Sequence, residues 1–533
     1  MVSMVMKKSS IHPRITDYVH QFAKETPEHE AVVFGDKRIT YKELENRVEI
    51  CGRALLAMGV SKGDRVAMLC TSRPEFYEVF LAAVGIGAIW MGLNPKYSLD
   101  EYRYAVGDAA PKVLLTMAEF EGRDFRDDVS VLHNEFDSLE HIVAITGSIE
   151  GMSNYGDFLS RASEVSAEAY YESAAAVTYL SPALLVYTSG STGRPKGAIL
   201  SHYGLCFGAT VQTRHFLIEQ SKSICNMPIN HVACVADTCC TTLVVGGTLN
   251  FQERFDPALV LQTIERERIT VWAGVPTMFM MQLNLPEFEQ YDLSSVELIL
   301  WGGAAMPEAM IKRLQATGAR LMVLYGMTET AAHTTYSAMD ASLDELSCSI
   351  GRPDPAMPCR IVNAQGESCG SGEQGELQFK GEYLLLEYYN RPEATREAFT
   401  EDGWFRSGDL GYWREDGAIT LVGRMSEMYK SGGYNVYPRE IELHLERFDD
   451  VAVAAVVGIA DPLFQEIGVA FVMPKSGSAV SSAQLLAHCK EGLANYKIPK
   501  HMEVLTEMPL LANGKINKVD LKHQSKHKYG EVN

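Results

Sequence analysis

Positive charge is scarce in this chain of 533 residues: 48 Lys and Arg stand against 68 Asp and Glu, a formal net charge of −20. A surface this acidic disfavours nucleic acid and anionic membrane, so any anion must be held at a local site. The eleven cysteines include no C-x-x-C pair, which argues against a disulfide scaffold or zinc ribbon and for reduced thiols in a cytoplasmic protein. Long hydrophobic runs are lacking too. The longest, "VFLAAVGIGAIWMGL" from Val79 to Leu93, is interrupted by glycines and falls short of a bilayer span. It reads as a helix end, a turn and a strand, so no integral membrane segment is expected. The opening "MVSMVMKKSS" puts its charges after a short apolar run, the wrong order for a secretory leader. There is no repeat of fixed period, and no phosphate loop of the form G-x-x-x-x-G-K-[ST].

What is present is alternation. "AVVFGDKRIT" predicts a hairpin turning at Gly35-Asp36, and Thr40 with Glu43 then forms a capping box for a helix carrying Leu44, Val48, Cys51 and Leu55. "KGDRVAML", "PKVLLT", "LLVYTS", "ITVWAG", "VELILWGG" and "ARLMVLYG" are short β-rich runs, most with a helical pattern nearby. That texture predicts an α/β fold with layered, largely parallel sheets, in at least two domains. Beyond residue 370, "GELQFKG", "GWFRSGDLGYW" and "GAITLVGR" predict a small β-barrel or meander. After Arg424, "VAVAAVVGIA", "GVAFVMP", "SAQLLAHCKEGLA" and "HMEVLTEM" predict a compact α+β unit. The expected layout is a large N-terminal domain over 1–423, a hinge over 424–427 and a small mobile α+β C-terminal lid over 428–533. The Lys/His-rich tail "KHQSKHKYG" reads as a frayed end, and "FDSL" at 136–139 as loop.

The stretch "YTSGSTGRPKG" at 187–197 carries the first chemistry. Glycines let backbone approach an anion, N–H groups and hydroxyls supply donors, and Lys196 adds charge. The stretch resembles the signature loop of the adenylate-forming superfamily, which contains acyl-CoA synthetases, adenylation domains of peptide synthetases and beetle luciferases. The resemblance extends along nearly the whole chain. "ITYKELENRV", "MPINHVA", "WGGAAMP", "YGMTET", "GWFRSGDLG", "GRMSEMYKSGGYNVYPREIE" and "NGKINK" follow one another in the family's order.

The resemblance implies a two-step reaction: a carboxylic acid and ATP give an acyl-adenylate and pyrophosphate, then a thiol displaces AMP. It implies that Thr188, Ser189, Gly190, Ser191, Thr192 and Lys196 hold the β- and γ-phosphates. Glu329, with Thr188, is implied as the Mg2+ site, oxygen ligands suiting that hard cation. Tyr325 would stack on adenine, with Gly302 and Gly303 covering the other face and Gly326 and Thr328 beside it. Asp409 would accept the ribose hydroxyls, and Arg424 would help hold the nucleotide. Lys515 is implied as the adenylation lysine, bridging the attacking carboxylate and the nucleotide oxygens. His231 would line the acid pocket near the point of thiol entry. After adenylation the small domain is expected to swing, replacing Lys515 by a loop in which Gly432 and Gly433 pass the pantetheine arm and Lys430 faces the site. The usual hinge residue is Asp or Lys; here it is Ser426.

Family positions make Val232, Ala233, Cys234, Gly302, Ala304, Met327, Ala331, Ala332 and His333 candidates for the acid pocket. Most are small and apolar, leaving room for an aryl, cyclic or medium-length acyl group. With no carrier or condensation segment in the sequence, free coenzyme A is the expected thiol. A ligase loading a separate carrier protein, a luciferase-type oxidation and a non-catalytic nucleotide binder on the same scaffold are the competing readings. The oligomeric state is not readable from the sequence.

Overall fold

A computed structural model describes residues 11–188, 194–475, 477–511 and 515–530. Among them the N-terminal part is built on two large sheets. A nine-stranded sheet carries a parallel run from Arg320–Gly326 through Leu298–Trp301, Val271–Gly274, Lys222–Cys225 and Thr248–Phe251 to Glu30–Phe34. An eight-stranded sheet carries a second parallel run that joins Pro182–Thr188, Ile89–Leu93, Arg65–Leu69, Val113–Met117 and His141–Thr146. Both sheets bury both faces, so their strands read as apolar runs rather than alternating ones.

The expected local signals form as read. The hairpin Glu30–Phe34 and Lys37–Thr40 leads into Tyr41–Ala57 through a Thr40–Glu43 capping box. The long apolar run splits into the helix Pro74–Gly85 and the strand Ile89–Leu93. No helix among the described residues is long and apolar enough to cross a membrane.

Beyond residue 350 the chain makes a four-stranded antiparallel meander whose Phe405–Trp413 and Ile419–Arg424 strands put Asp409 opposite Arg424. A turn over 425–427 follows, closed by Met428 N–H on the Arg424 carbonyl at 3.2 Å. The remaining residues form a five-stranded sheet around the hairpin Val451–Asp461 and Gln465–Pro474. Two hydrophobic clusters flank this sheet, and their buried members all lie at residue 429 or beyond, so this part has a core of its own.

One expectation is overturned. The Lys/His-rich tail is not frayed, because Lys518–Tyr529 is a helix with Leu521 and Ser525 fully buried. These residues sit at i and i+4 and share one face, which docks on the sheet. Lys522, Lys526 and Lys528 lie on exposed positions, and Lys528 reaches Glu503 at 2.8 Å, while Lys518 at the helix start is half-buried between Glu427 and Glu442.

Candidate active site

The loop that opens the chemistry connects two antiparallel strands, Pro182–Thr188 and Lys196–Ser201, with Thr188 opposite Lys196. Ser189, Gly190, Ser191 and Thr192 lie outside the described residues. The loop's shoulders are tied down: Tyr104 Oη donates to the Pro195 carbonyl at 2.5 Å, and Tyr187 Oη to Asp108 at 2.9 Å. Lys196–Ser201 also pairs with the short strand Glu387–Tyr388. Tyr388 thereby lies under Lys196, whose Nζ is 4.9 Å from the ring centre, and donates its hydroxyl to Glu329 Oε1 at 2.8 Å. Burial and the Glu329 charge push the Tyr388 phenol above its ordinary range, so it remains a donor. Lys196, Tyr388 and Glu329 are thus one connected set. Sequence reading reached its two ends but missed Tyr388, which carries no motif signal.

A second set lies at the ends of neighbouring strands. Gly302, Gly303 and Ala304 follow Leu298–Trp301, and Tyr325 and Gly326 end Arg320–Gly326. Tyr325 Oη donates to Asp409 Oδ2 at 2.6 Å, while Arg424 Nε donates to Asp409 Oδ1 at 3.0 Å. Each carboxylate oxygen keeps a second lone pair, so the buried Asp409 can still accept from a ligand. Gly326 allows close passage of the chain: a Cβ there would lie 2.4 Å from the Ala332 carbonyl oxygen.

Lys515 arrives from the other part of the molecule. The Leu511 N–H is bonded to its carbonyl at 2.7 Å. Its side chain lies so close to Gly303 (φ +80°) that a Cβ on the glycine would be 3.0 Å from Cε. Burial, and then the nearby Arg424 charge, lower its ammonium pKa, against the pull of Asp409 and Glu427. Lys515 in turn acts on two imidazoles. His231 is held at about 4 by burial and by the Lys515 charge. His333 is held at about 3 by burial, Lys515 and His231. Both rings are neutral at pH 7.

His231 caps the short helix Val232–Cys234, its Nδ1 accepting from Ala233 N–H at 3.1 Å. The chain then winds into a π-helical turn, Val235–Cys240, a local widening that often re-aims side chains at functional sites. Sequence periodicity did not reveal it.

The pocket candidates fall in different places. Ala233 is partly exposed, Val232 is 5% exposed, and Met327 and His333 are partly exposed. Ala331 and Ala332 pack on the helix His202–Phe216, beneath Gly204 and Gly208. Ala304 sits exposed on the lip. Cys234 faces away, into a buried thiol cluster 3.5 Å from Cys225, with Cys239 also 3.7 Å from Cys225. Gln212 and Asp237, neither anticipated, bracket His333: Gln212 Oε1 is 2.9 Å and Asp237 Oδ1 is 3.3 Å from Nδ1. The available signal was a lone acid within the run Val232–Cys240.

Lys430, Gly432 and Gly433 are not in this cleft. They form an exposed hairpin turn on the C-terminal part, with Gly432 N–H on the Phe464 carbonyl at 2.8 Å and open space around Gly433.

A cleft with a glycine-flanked slot, a buried carboxylate at its back and a lysine brought from a second lobe defines a nucleotide-dependent acid-activating protein of two parts. The comparisons agree. The family described as "AMP-binding enzyme" matches residues 19–389, and "AMP-binding enzyme C-terminal domain" matches 440–515. A feruloyl-CoA synthase of Amycolatopsis sp is 34% identical over 507 residues, covering 94% of this chain and 97% of that protein. An indoleacetate–CoA ligase of Aromatoleum aromaticum is 32% identical over 511 residues, covering 95% and 97%. The solved structure of the anthranilate CoA ligase AuaEII in complex with anthranoyl-AMP superposes with a TM-score of 0.86 at 25% identity, covering 99% of this chain and all of that one. The chain belongs to the AMP-binding enzyme family. It is an AMP-forming acid–CoA ligase of the adenylate-forming superfamily, with ATP and coenzyme A as co-substrates.

Proposed function

We propose that the acid is aromatic and that the cleft around Lys515 is poised for its adenylation. The observation that carries the adenylation reading is the arrival of Lys515 from the C-terminal part at Gly303, where its charge is felt by the neutral rings of His231 and His333 and it feels those of Asp409 and Arg424. In that position its ammonium neutralises charge on the attacking carboxylate and on the nucleotide oxygens as the pentavalent phosphorus forms. Asp409 accepts the ribose hydroxyls while Arg424 and Tyr325 fix its orientation. Tyr325, Gly302, Gly303, Gly326 and Thr328 enclose the base. Thr188, Lys196 and the loop residues Ser189, Gly190, Ser191 and Thr192 take the β- and γ-phosphates.

Glu329 fits Mg2+: an oxygen donor, oriented by Tyr388 at one carboxylate oxygen and beside Lys196. The ion, with Thr188 as a second ligand, would neutralise triphosphate charge. Two of the relatives are named for feruloyl and indoleacetate and the solved neighbour for anthranoyl-AMP; these names, with the small, partly exposed side chain of Ala233, support an aryl group. The second step uses free coenzyme A. We assign residues 1–423 to the nucleotide- and acid-binding domain, 424–427 to a hinge and 428–533 to a lid, whose rotation brings Gly432, Gly433 and Lys430 to the cleft. A cytoplasmic site suits the eleven free cysteines.

The test is pyrophosphate release with a panel of aromatic, alicyclic and medium-chain acids, with and without coenzyme A. Aromatic acids should give the highest kcat/KM, and AMP release should require the thiol. Preference for a straight chain would overturn the aromatic assignment.

A further inference from the structure

Beside His333 lies a carboxyl group that the chemistry above does not use. Asp237 sits on the π-helical turn Val235–Cys240, its side chain 13% exposed. Burial alone pushes its pKa up to about 8, so near pH 7 the carboxyl is largely protonated; Oδ1, which faces the His333 Nδ1–H, is its accepting oxygen.

The neighbouring histidine does not satisfy it. Gln212 Nε2 donates to the Asp237 main-chain carbonyl at 3.1 Å, which orients the amide so that its Oε1 faces His333. Oε1 can only accept, so the 2.9 Å contact makes His333 Nδ1 the protonated nitrogen and commits that proton to Gln212. Asp237 Oδ1, 3.3 Å from the same nitrogen, has no hydrogen-bond partner among the described residues. A buried acceptor without a donor is destabilising, a cost the fold retains at this position.

The placement relative to the reaction centre is fixed by the same ring. His333 Nε2 faces Gly302, where a glycine Cβ would lie 3.6 Å away, and the ring feels the charges of Lys515 and His231. Nδ1, and with it Asp237, is on the ring's other edge. Asp237 thus meets His333 at a different nitrogen from the one that faces Gly302, and the reading of the cleft places the tail of the acid on that side, with its carboxylate at Lys515.

We propose that Asp237 is a specificity-determining residue that selects acids bearing a hydroxyl or amino group on the acyl tail, whose O–H or N–H donates to Asp237 Oδ1. This rests on the reading of the cleft as the acid pocket. Sites built around a buried polar group discriminate strongly against the analogue lacking its partner, by up to about 10⁴-fold, whereas apolar pockets discriminate weakly.

The experiment uses the full-length enzyme and matched ring acids differing at one tail position: hydroxyl or amino against methyl, with a keto analogue as a third arm. Pyrophosphate release gives kcat/KM for each. The native enzyme should favour the donor-bearing acid over its methyl partner by about tenfold to a hundredfold, mainly through KM. Asp237→Leu should bring the ratio within about threefold. Asp237→Asn, which keeps an acceptor oxygen, should hold an intermediate ratio. ATP binding by calorimetry checks that each variant is folded, and if the leucine variant does not fold the asparagine variant and the native ratios decide. A native enzyme that prefers the methyl or keto acid, or a ratio that survives in Asp237→Leu, overturns the proposal. If aromatic acids are not turned over at all, the aromatic assignment falls. The same hydroxyl/methyl pairs built on alicyclic and chain acids then decide the role of Asp237.

Discussion

Glu329 accepts from Tyr388 at one carboxylate oxygen, and the proposed Mg2+ would use the other. Glu329→Gln keeps the shape and the acceptor but removes the charge, so adenylation should fall by tenfold or more, about 1.4 kcal/mol in the barrier, with an unchanged melting curve. Raising Mg2+ should recover part of the loss; a near-native rate at low Mg2+ would remove Glu329 from the metal site. Asp237 makes the opposite kind of prediction, because its carboxyl is strained rather than used in the empty enzyme. Its folded pKa, about 8, is above its ordinary 3.8. A raised pKa means the associated stability is fully present below 3.8 and is lost as pH rises towards 8. Asp237→Asn should therefore melt at nearly the native temperature at pH 4 and a few °C higher at pH 8. His231 and His333, neutral in the folded state above about 4 and 3, are present in both proteins and cancel in the comparison. A stabilisation that does not grow with pH would show that the carboxyl is satisfied. Gain of stability with loss of selectivity would match the usual exchange between a strained site and its function.

At the scale of elements, what the sequence made legible were pieces with short-range causes. The Thr40–Glu43 capping box, the Gly35 turn and the apolar strands all formed because each is decided within a few residues. The motif-bearing residues Glu329, Tyr325, Asp409 and Lys515 could be named because they sit in contiguous signatures. Tyr388 and Gln212 could not. Tyr388 reaches Glu329 across 59 positions and Gln212 reaches His333 across 121, contacts that only the tertiary fold creates. The π-turn hid Asp237 for a different reason: regular helical periodicity does not describe Val235–Cys240. The tail misled because its charge suggested solvent, while the apolar contact that docks Lys518–Tyr529 comes from Leu521, buried four residues before the equally buried Ser525. Leu521→Ala should cost about 2–5 kcal/mol, the range for deleting a fully buried leucine side chain. Because this helix follows Lys515 by two residues, and Lys518 binds Glu427 at 2.6 Å and Glu442 at 2.8 Å, adenylation should weaken along with stability. Measured by urea unfolding and pyrophosphate release, a fully stable Leu521→Ala would leave the tail dispensable.

On the scale of the whole molecule, the C-terminal part carries two candidate sites and presents one of them. Lys515 is buried against Gly303, while the Gly432–Gly433 turn stands in solvent. Both cannot occupy one cleft together, so the two half-reactions should fail separately. Lys515→Ala should lose adenylate formation by about a hundredfold or more, the scale of removing one transition-state contact, yet still make thioester from pre-formed acyl-adenylate and coenzyme A. Gly433→Leu should do the reverse, releasing pyrophosphate in one turnover and then stalling with adenylate bound. Its side chain would obstruct the thiol's path, and φ +85° at that position adds backbone strain for any L-residue. Ser426→Pro should resemble Gly433→Leu. Ser426 lies in the 425–427 turn that links the two parts, next to Glu427, whose N–H is on the Arg424 carbonyl at 3.1 Å. A fixed φ there restrains the rotation that exchanges one site for the other. Single-turnover assays with ATP and acid, and with pre-formed adenylate, separate the three variants. Equal loss of both half-reactions in Lys515→Ala would make the lysine structural or shared, and domain rotation would no longer be needed to explain why this chain keeps a glycine turn so far from its cleft.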